Sequence, residues 1–397
     1  MNRRLFSKLH RWMTIVVIMG ILYSIPLLSF LQKTGSYSFY ENRMLAEAPV
    51  FSVSSVMDGS FFEGCEEYLS DRIYKRNRWM SAYTAAHLHL LKKPVVNDVV
   101  VAEDLLLTPL TPQPPFLSYG DLGVRAADDL RRLKDKVESV GGKLVVLGVP
   151  EQYSILRDRY PFPLFNNDVN LTAIETTFFN SVAQAGIEAV NMKPYYERSS
   201  DRTLLYAKTD HHYRLEGAYL TYSVLCEKLV DLGLNIRIIK EEDFEYVELP
   251  NPFLGSRAKK LIGRSPVEEH LSIYKLKDEI PFTRCDNGVP VDASVFALPN
   301  SDEAPVEYLV YMGGDVAETV IQTSRPELPD VLLFGNSFTN ALETFLYTSF
   351  NETRSLDLRL YHEMGILEYI EEYRPDVVVC LRYDLEYLLQ SGNGIIE

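Results

Sequence analysis

With 397 residues and 46% hydrophobic content, the chain is long enough for one large or two modest globular domains, which excludes disorder as its default state. Forty basic residues against fifty-five acidic ones leave a net charge of −15, and no basic stripe interleaved with aromatics relieves it, so nucleic acid is not an expected partner. Four scattered cysteines, Cys65, Cys226, Cys285 and Cys380, do not make a disulfide scaffold or a zinc knuckle, which need close-spaced pairs; Cys226 and Cys380 fall on apolar elements and read as packed thiols.

Residues 1–33 form the first element. Arg3, Arg4, Lys8 and Arg11 precede a run from Trp12 to Leu31 that carries no charge and is long enough to cross a bilayer as a helix. The basic flank marks the cytoplasmic side, so the bulk of the chain is expected outside the cytoplasm; a cleaved secretory signal would leave it on the same side. The length of the apolar run and the lack of a clear small-x-small site favour an uncleaved, single-pass anchor in the cell membrane. Pro26 is compatible with a membrane helix.

Residues 34–100 comprise a polar, aromatic stem and a segment, "FFEGCEEYLSDRIYKRNRWMSAYTAAHLHLL", with helical spacing of its apolar positions; it is expected to pack on the main domain. In residues 101–236 apolar runs alternate with amphipathic stretches: "KLVVLGV" (143–149), "LTAIETTFFNSVAQA" (171–185), "IEAVNM" (187–192) and "YRLEGAYLTYSVLCEKLVDLG" (213–233). Residues 237–328 break the rhythm with prolines, glycines and alternating segments such as "FEYVEL" and "VEYLVYMGG", a pattern that predicts a β-rich insertion. Residues 329–397 resume it with "DVLLFG" (330–335), "FTNALETFLYTSF" (338–350), "LDLRLY" (356–361), "MGILEYIEEY" (364–373) and "DVVVCLRY" (376–383). Short Val/Leu runs alternating with helical patterns predict an α/β fold, a doubly wound parallel sheet sandwiched by helices. In such sheets ligands bind beyond the carboxyl ends of the strands, where the insertion could roof a site.

Two stretches carry candidate chemistry. "KTDHHYRLEGAY" puts Asp210, His211 and His212 just before a helix, and three readings stay open: Asp210 as a helix cap, a metal site, or part of a catalytic triad. The metal reading is weakly specified, because helical histidine pairs come at i, i+4 and these two are adjacent. "DVLLFGNSFTNALETFL" runs a strand into Gly335, Asn336 and Ser337 and straight into a helix. Such a turn exposes a serine hydroxyl at the sheet edge, with the first free N–H groups of the helix ready for an oxyanion. A serine needs a base and a group to orient that base, and Asp210-x-His212 supplies both types.

"GNSF" together with the upstream "TDHHY…GA" resembles the DHHW family of SGNH-hydrolase-like proteins and their relatives, the alginate O-acetyltransferase-type proteins. The stretches "ENRMLAEAP" (41–49), "SDRIYKR" (70–76), "VVLGVPEQ" (145–152), "PFLGSRAKKL" (252–261), "YMGGD" (311–315) and "DLRLY" (357–361) are similar to landmarks of that family in the same order. The resemblance implies an SGNH-hydrolase-like fold with Ser337 as nucleophile, His212 as general base and acid, and Asp210 as its orienting carboxylate. It also implies His211 in packing or a supporting hydrogen bond, and Arg359, Gly314 and Asn336 as residues for the oxyanion or substrate, with a salt bridge to Asp357 or Asp384 the alternative for Arg359 and a β-turn the alternative for Gly313 and Gly314. Asn336 stands where the family has aspartate, and Tyr213 where it has tryptophan. The function implied is O-acetylation of a cell-envelope polysaccharide, with a membrane acyl exporter of the MBOAT type as partner and no cofactor or metal. An esterase using the same triad and a non-catalytic glycan-binding protein are the alternatives. "FLGSRAKKLIG" (253–263) reads as a substrate lid or as a solvated basic turn.

Overall fold

The computed structural model describes residues 3–33, 35–110, 119–162, 164 and 168–388. The end of the last predicted segment, 389–397, lies outside these residues, as do the side chains of Arg3, Arg4 and Lys8. The chain divides into two compact units, Met1–Asn97 with Lys259–Ser265, and Asp98–Ala258 with Pro266–Glu397. Residues 259–265, expected in the insertion, thus fall with the first unit.

The first unit begins with helix α1 (Arg3–Leu31), whose stretch His10–Leu31 is long and apolar enough to cross a membrane. The predicted helical segment forms two helices, α2 (Ser60–Asp71) and α3 (Arg76–Ala85). They separate at Arg72–Lys75, where Lys75 takes a left-handed conformation with φ 54°. Asp71 closes α2 by accepting from Arg43 at 2.8 and 2.5 Å and from the Ala46 N–H at 2.8 Å. The Arg43 guanidinium holds the Asp71 carboxyl down at about 2.

The second unit is built on one sheet. In chain order its elements are α4 (Tyr119–Ser139), β1 (Lys143–Val149), α5 (Asp168–Gln184), β2 (Ala189–Asn191), α6 (Leu215–Asp231), β3 (Phe244–Pro252), β4 (His270–Leu276), β5 (Thr283–Asp286), β6 (Val289–Val291), β7 (Glu318–Gln322), β8 (Val331–Gly335), α7 (Thr339–Leu346), β9 (Glu352–Leu356), α8 (Ile366–Tyr373) and β10 (Val377–Tyr383). Eight strands hydrogen-bond in the order β6-β5-β7-β9-β8-β10-β1-β2. From β9 to β2 the neighbours are parallel; β7, β5 and β6 extend the β9 edge antiparallel. All of β8 and β10, and β1 beyond Lys143, are buried, as the continuous Val/Leu runs require of strands covered on both faces. On one face α4, α5 and α8 lay Leu130, Leu133, Phe178, Val182 and Ile370 against Val146, Leu332, Phe334 and Val378.

Two expectations are corrected and one helix is added. Within 237–328, β3 and β4 pair with each other, while β5, β6 and β7 join the main sheet. The run "LDLRLY" is not a strand; β9 lies earlier, over "ETRSL". Its inward polar side chains disguise it, since Thr353 and Ser355 are buried and the Ser355 hydroxyl donates to buried Glu343 at 2.7 Å. "VEYLVYMGG" forms a 3-10 turn, Tyr308–Val310, and then three successive left-handed residues, Met312, Gly313 and Gly314. Helix α4 was absent from the predicted alternation, although Ala126, Leu130, Leu133 and Val137 form a helical stripe that is buried.

Phe178 is fully buried and stacks on Tyr387 with centroids 4.3 Å apart. Phe178→Ala is expected to lower unfolding free energy by about 3–5 kcal/mol, read as a reduced urea midpoint with unchanged slope.

Candidate active site

Strand β8 ends at Gly335, where a Cβ would lie 2.0 Å from the Leu381 carbonyl oxygen of β10. Only glycine lets the two backbones approach so closely, and the chain then turns through Asn336 and Ser337 into α7. The Asn336 carboxamide oxygen accepts the Phe338 N–H at 3.2 Å, and its backbone carbonyl accepts the Thr339 N–H at 3.0 Å. Of the N–H groups expected to face an oxyanion, this leaves that of Ser337, which among the described residues has no acceptor.

The Asp210–His212 loop precedes α6, whose N-cap is Arg214 and carries no side-chain cap bond. Asp210 therefore does not cap the helix. One of its oxygens accepts from His212 Nδ1 at 2.6 Å and from the His212 N–H at 3.1 Å; the other accepts the Ser256 N–H at 2.5 Å. His212 Nε2 lies 2.6 Å from Ser337 Oγ. Asp210 is only 3% exposed and His212 6%. Burial alone would raise the Asp210 carboxyl, but the imidazoles of His212 and His211 and these hydrogen bonds hold it well below the usual carboxylate range. A carboxylate, an imidazole and a hydroxyl are thus joined in one line at the carboxyl edge of the sheet.

The same residues are the candidate metal donors: atoms of Asp210, His211 and His212 lie within 4.8 Å of one another. Both ring nitrogens of His212 and both Asp210 oxygens are here engaged in hydrogen bonds to Ser337, each other and Ser256. His211 stands beside that line, half-exposed, with Nδ1 3.1 Å from Ser256 Oγ and its ring 3.8 Å from that of His212.

Arg359 is gripped by Asp357, through Nε at 2.9 Å and through Nη2 at 2.5 Å, and reaches Asp315 at 3.1 Å; Asp384 is not its partner. The Gly314 N–H closes a turn on the Tyr311 carbonyl at 3.3 Å. Gly314 and Asn336 share a small polar cleft with Asp315, Asn340 and Asp357. Arg359 borders that cleft through its bonds to Asp315 and Asp357, and Gly314 lines it.

Several supporting residues escaped the sequence reading. Buried Arg257 donates to the Asp210 carbonyl at 2.5 Å, the Leu106 carbonyl at 3.0 Å and Thr108 Oγ1 at 2.8 Å, and also to Gln152 Oε1. Glu269 accepts the Lys208 and Thr209 N–H groups at 2.8 and 2.9 Å. Tyr308 stacks on His212 with centroids 3.7 Å apart and planes 7° from parallel. The signal for Arg257 was Gly255, where a Cβ would sit 2.3 Å from the Thr209 carbonyl oxygen: "GSR" marks a close backbone approach and not a solvated basic turn. Tyr213, in the tryptophan position, is buried and donates to the Phe338 carbonyl, tying the histidine loop to the serine turn.

Residues 124–273 match the model of the family described as SGNH hydrolase-like domain, acetyltransferase AlgX; the match takes in Asp210, His211 and His212 and ends before Ser337. No curated protein matches the chain. Among solved structures, Bacillus cereus PatB1 with a sulfonyl adduct superposes with a TM-score of 0.61 at 19% identity, over 73% of this chain and 95% of that one. A DHHW family protein from Eubacterium siraeum superposes with a TM-score of 0.56 at 17% identity, over 74% of this chain and 93% of that one. At such identities the likeness is one of fold.

Two predictions follow from the buried carboxyls. Burial, reinforced by Glu386, pushes Glu151 up to about 8, so the folded state binds its proton more tightly than the unfolded chain does. Its contribution to stability is therefore full below the ordinary carboxyl range and lost as pH rises toward about 8. Glu151→Gln is expected to flatten the decline of melting temperature between roughly pH 5 and 8. Gly255→Ala is expected to displace the Asp210 loop and cut serine labelling by a sulfonyl fluoride at least about tenfold, with circular dichroism unchanged. By family match and by fold, this chain is an SGNH-hydrolase-like α/β protein that resembles the DHHW and AlgX-type proteins.

Proposed function

We propose that the protein is a membrane-anchored, extracytoplasmic O-acetyltransferase that places acetyl groups on a cell-envelope polysaccharide through an acyl-enzyme on Ser337. The reading rests on one observation, the hydrogen-bonded line Asp210–His212–Ser337 with 2.6 Å at each ring nitrogen. The match of residues 124–273 to an acetyltransferase-type domain supports acetyl as the group moved. The apolar helix behind a basic flank supports the anchor and the side of the membrane.

In this mechanism Ser337 Oγ attacks the carbonyl carbon of an acetyl donor while His212 Nε2 takes its proton. Asp210, ionised and bonded to Nδ1, stabilises the imidazolium formed. The oxyanion of the tetrahedral intermediate meets the Ser337 N–H. Collapse breaks the bond to the donor's leaving group, which departs with the proton from His212. A sugar hydroxyl then gives its proton to His212 and attacks the acetyl-serine, and the second collapse yields the acetylated sugar and free Ser337. Acetyl-CoA is cytosolic, so the donor must be delivered across the membrane, a task suited to an MBOAT-type exporter.

Incubation of the purified full chain with p-nitrophenyl acetate is expected to add one acetyl mass that is absent in Ser337→Ala and reduced at least about a thousandfold in rate in His212→Ala. A folded wild-type protein that takes no acetyl, or a Ser337→Ala variant that still does, overturns the reading. Added oligosaccharide is expected to accelerate discharge of the acyl-enzyme and to carry the label; discharge to free acetate unaffected by any glycan makes the protein an esterase instead.

A further inference from the structure

We propose that the turn between α2 and α3, with Trp79 and Tyr83 on α3, lies in the lipid headgroup layer of the membrane that α1 crosses and binds phospholipid there. This goes beyond the acetyl-transfer reading and rests only on its premise that α1 spans the bilayer.

Position comes first. The span His10–Leu31 has 22 residues and at 1.5 Å per residue is about 33 Å long, close to the ~30 Å hydrocarbon core of a bilayer. Ser29 lies two residues, about 3 Å, inside its outer end. Ser29 Oγ accepts the Tyr74 N–H at 2.8 Å. Gln32 Nε2 donates to the Arg72 and Ile73 carbonyls at 3.2 and 3.3 Å, and Gln32 Oε1 accepts the Lys75 N–H at 3.2 Å. Trp79 Nε1 in turn donates to the Tyr74 carbonyl at 3.0 Å. The turn and the indole are therefore clipped to the last turn of α1, at the depth where hydrocarbon gives way to headgroups.

Surface chemistry agrees with that depth. The carbonyls of Arg72, Ile73 and Tyr74 and the N–H groups of Tyr74 and Lys75 are met by protein donors and acceptors, an arrangement that suits water-poor surroundings. Ile73 is 40% exposed, Trp79 59% and Tyr83 57%. Exposed cations, Lys75 and Arg78, flank them. Tryptophan and tyrosine at an interface, with basic side chains able to reach anionic headgroups, are the composition of a membrane-lying element. An apolar recess of about 400 Å³, lined by Trp79, Met80, Tyr83, Thr84 and Asn97, opens on the same helix and suits the upper part of an acyl chain.

The chain has two tryptophans, Trp12 and Trp79, which makes a direct test possible. The full chain is reconstituted into vesicles of phosphatidylethanolamine and phosphatidylglycerol, with or without bromine on the upper acyl chains. In Trp12→Phe the lone indole of Trp79 is expected to emit at shorter wavelength than in denaturant and to lose intensity when the lipid is brominated. In Trp79→Phe the indole of Trp12 reports the span itself. Trp12 quenched with Trp79 unquenched overturns the proposal while leaving the anchor intact, and is the result expected if a protein partner covers this face. Neither indole quenched removes the spanning premise and the proposal with it, leaving the acetyl-transfer chemistry untouched.

Discussion

The Asp210 carboxylate is the constraint around which the second unit is organised. An ionised group only 3% exposed costs several kcal/mol unless donors surround it. Its donors come from distant points of the sequence: the His212 ring and backbone beside it, and the Ser256 N–H from within the β3–β4 connection. Satisfying this one charge fixes the orientation of His212 and draws the connection into place. Glu269 and Arg257 repeat the pattern one layer out, the first bonding the backbone just before Asp210 and the second its carbonyl. The histidine loop is thus held by charge-assisted hydrogen bonds, which fix the aim of the His212 ring.

Sheet topology supplies the other half of the geometry. β8 lies between β9 and β10, and chain order reverses around it, since the connections through α7 and α8 lead to opposite neighbours. Crevices open at such a reversal beyond the strand ends, and Ser337 follows β8 there. Tyr213 bonds the Phe338 carbonyl and packs on its ring at 4.5 Å, so the serine turn and the histidine loop share a brace independent of the His212–Ser337 hydrogen bond. Tyr213 thus supplies both an aromatic contact and a hydrogen-bonded tether.

The elements legible in the sequence were those where one physical demand dominates. β1, β8 and β10 are buried on both faces and read as unbroken apolar runs, and α6 showed its stripe of Leu215, Tyr222, Cys226 and Leu229. Asp210, His212 and Ser337, expected together from the residue types at two loop–helix junctions, lie within hydrogen-bond distance of one another in sequence order. What stayed hidden were demands met across space. β9 buries polar residues because Glu343 of α7 waits to accept the Ser355 hydroxyl. Arg257 looks solvated in sequence because its acceptors, main-chain carbonyls and Gln152, lie far along the chain. Tyr308 gives no local sign that it will stack on His212. That Asn336 takes the Phe338 and Thr339 N–H groups likewise follows from a turn geometry that composition does not state.

Asn336 illustrates how a departure from a family pattern can be self-consistent. Its carboxamide oxygen accepts the Phe338 N–H, a duty an aspartate would perform equally well. Its Nδ2 donates to the Glu386 carboxylate at 3.2 Å, a duty an aspartate could not perform without meeting like charge. Glu151 lies in the same neighbourhood and is itself raised by burial first and by the Glu386 charge second. A second carboxylate at position 336 would add to a cluster that burial already makes costly. Asparagine keeps the turn, satisfies Glu386 and leaves Asp210 as the carboxylate bonded to the His212 ring, so position 336 shapes the surroundings of Ser337 without entering the Asp210–His212–Ser337 hydrogen bonds.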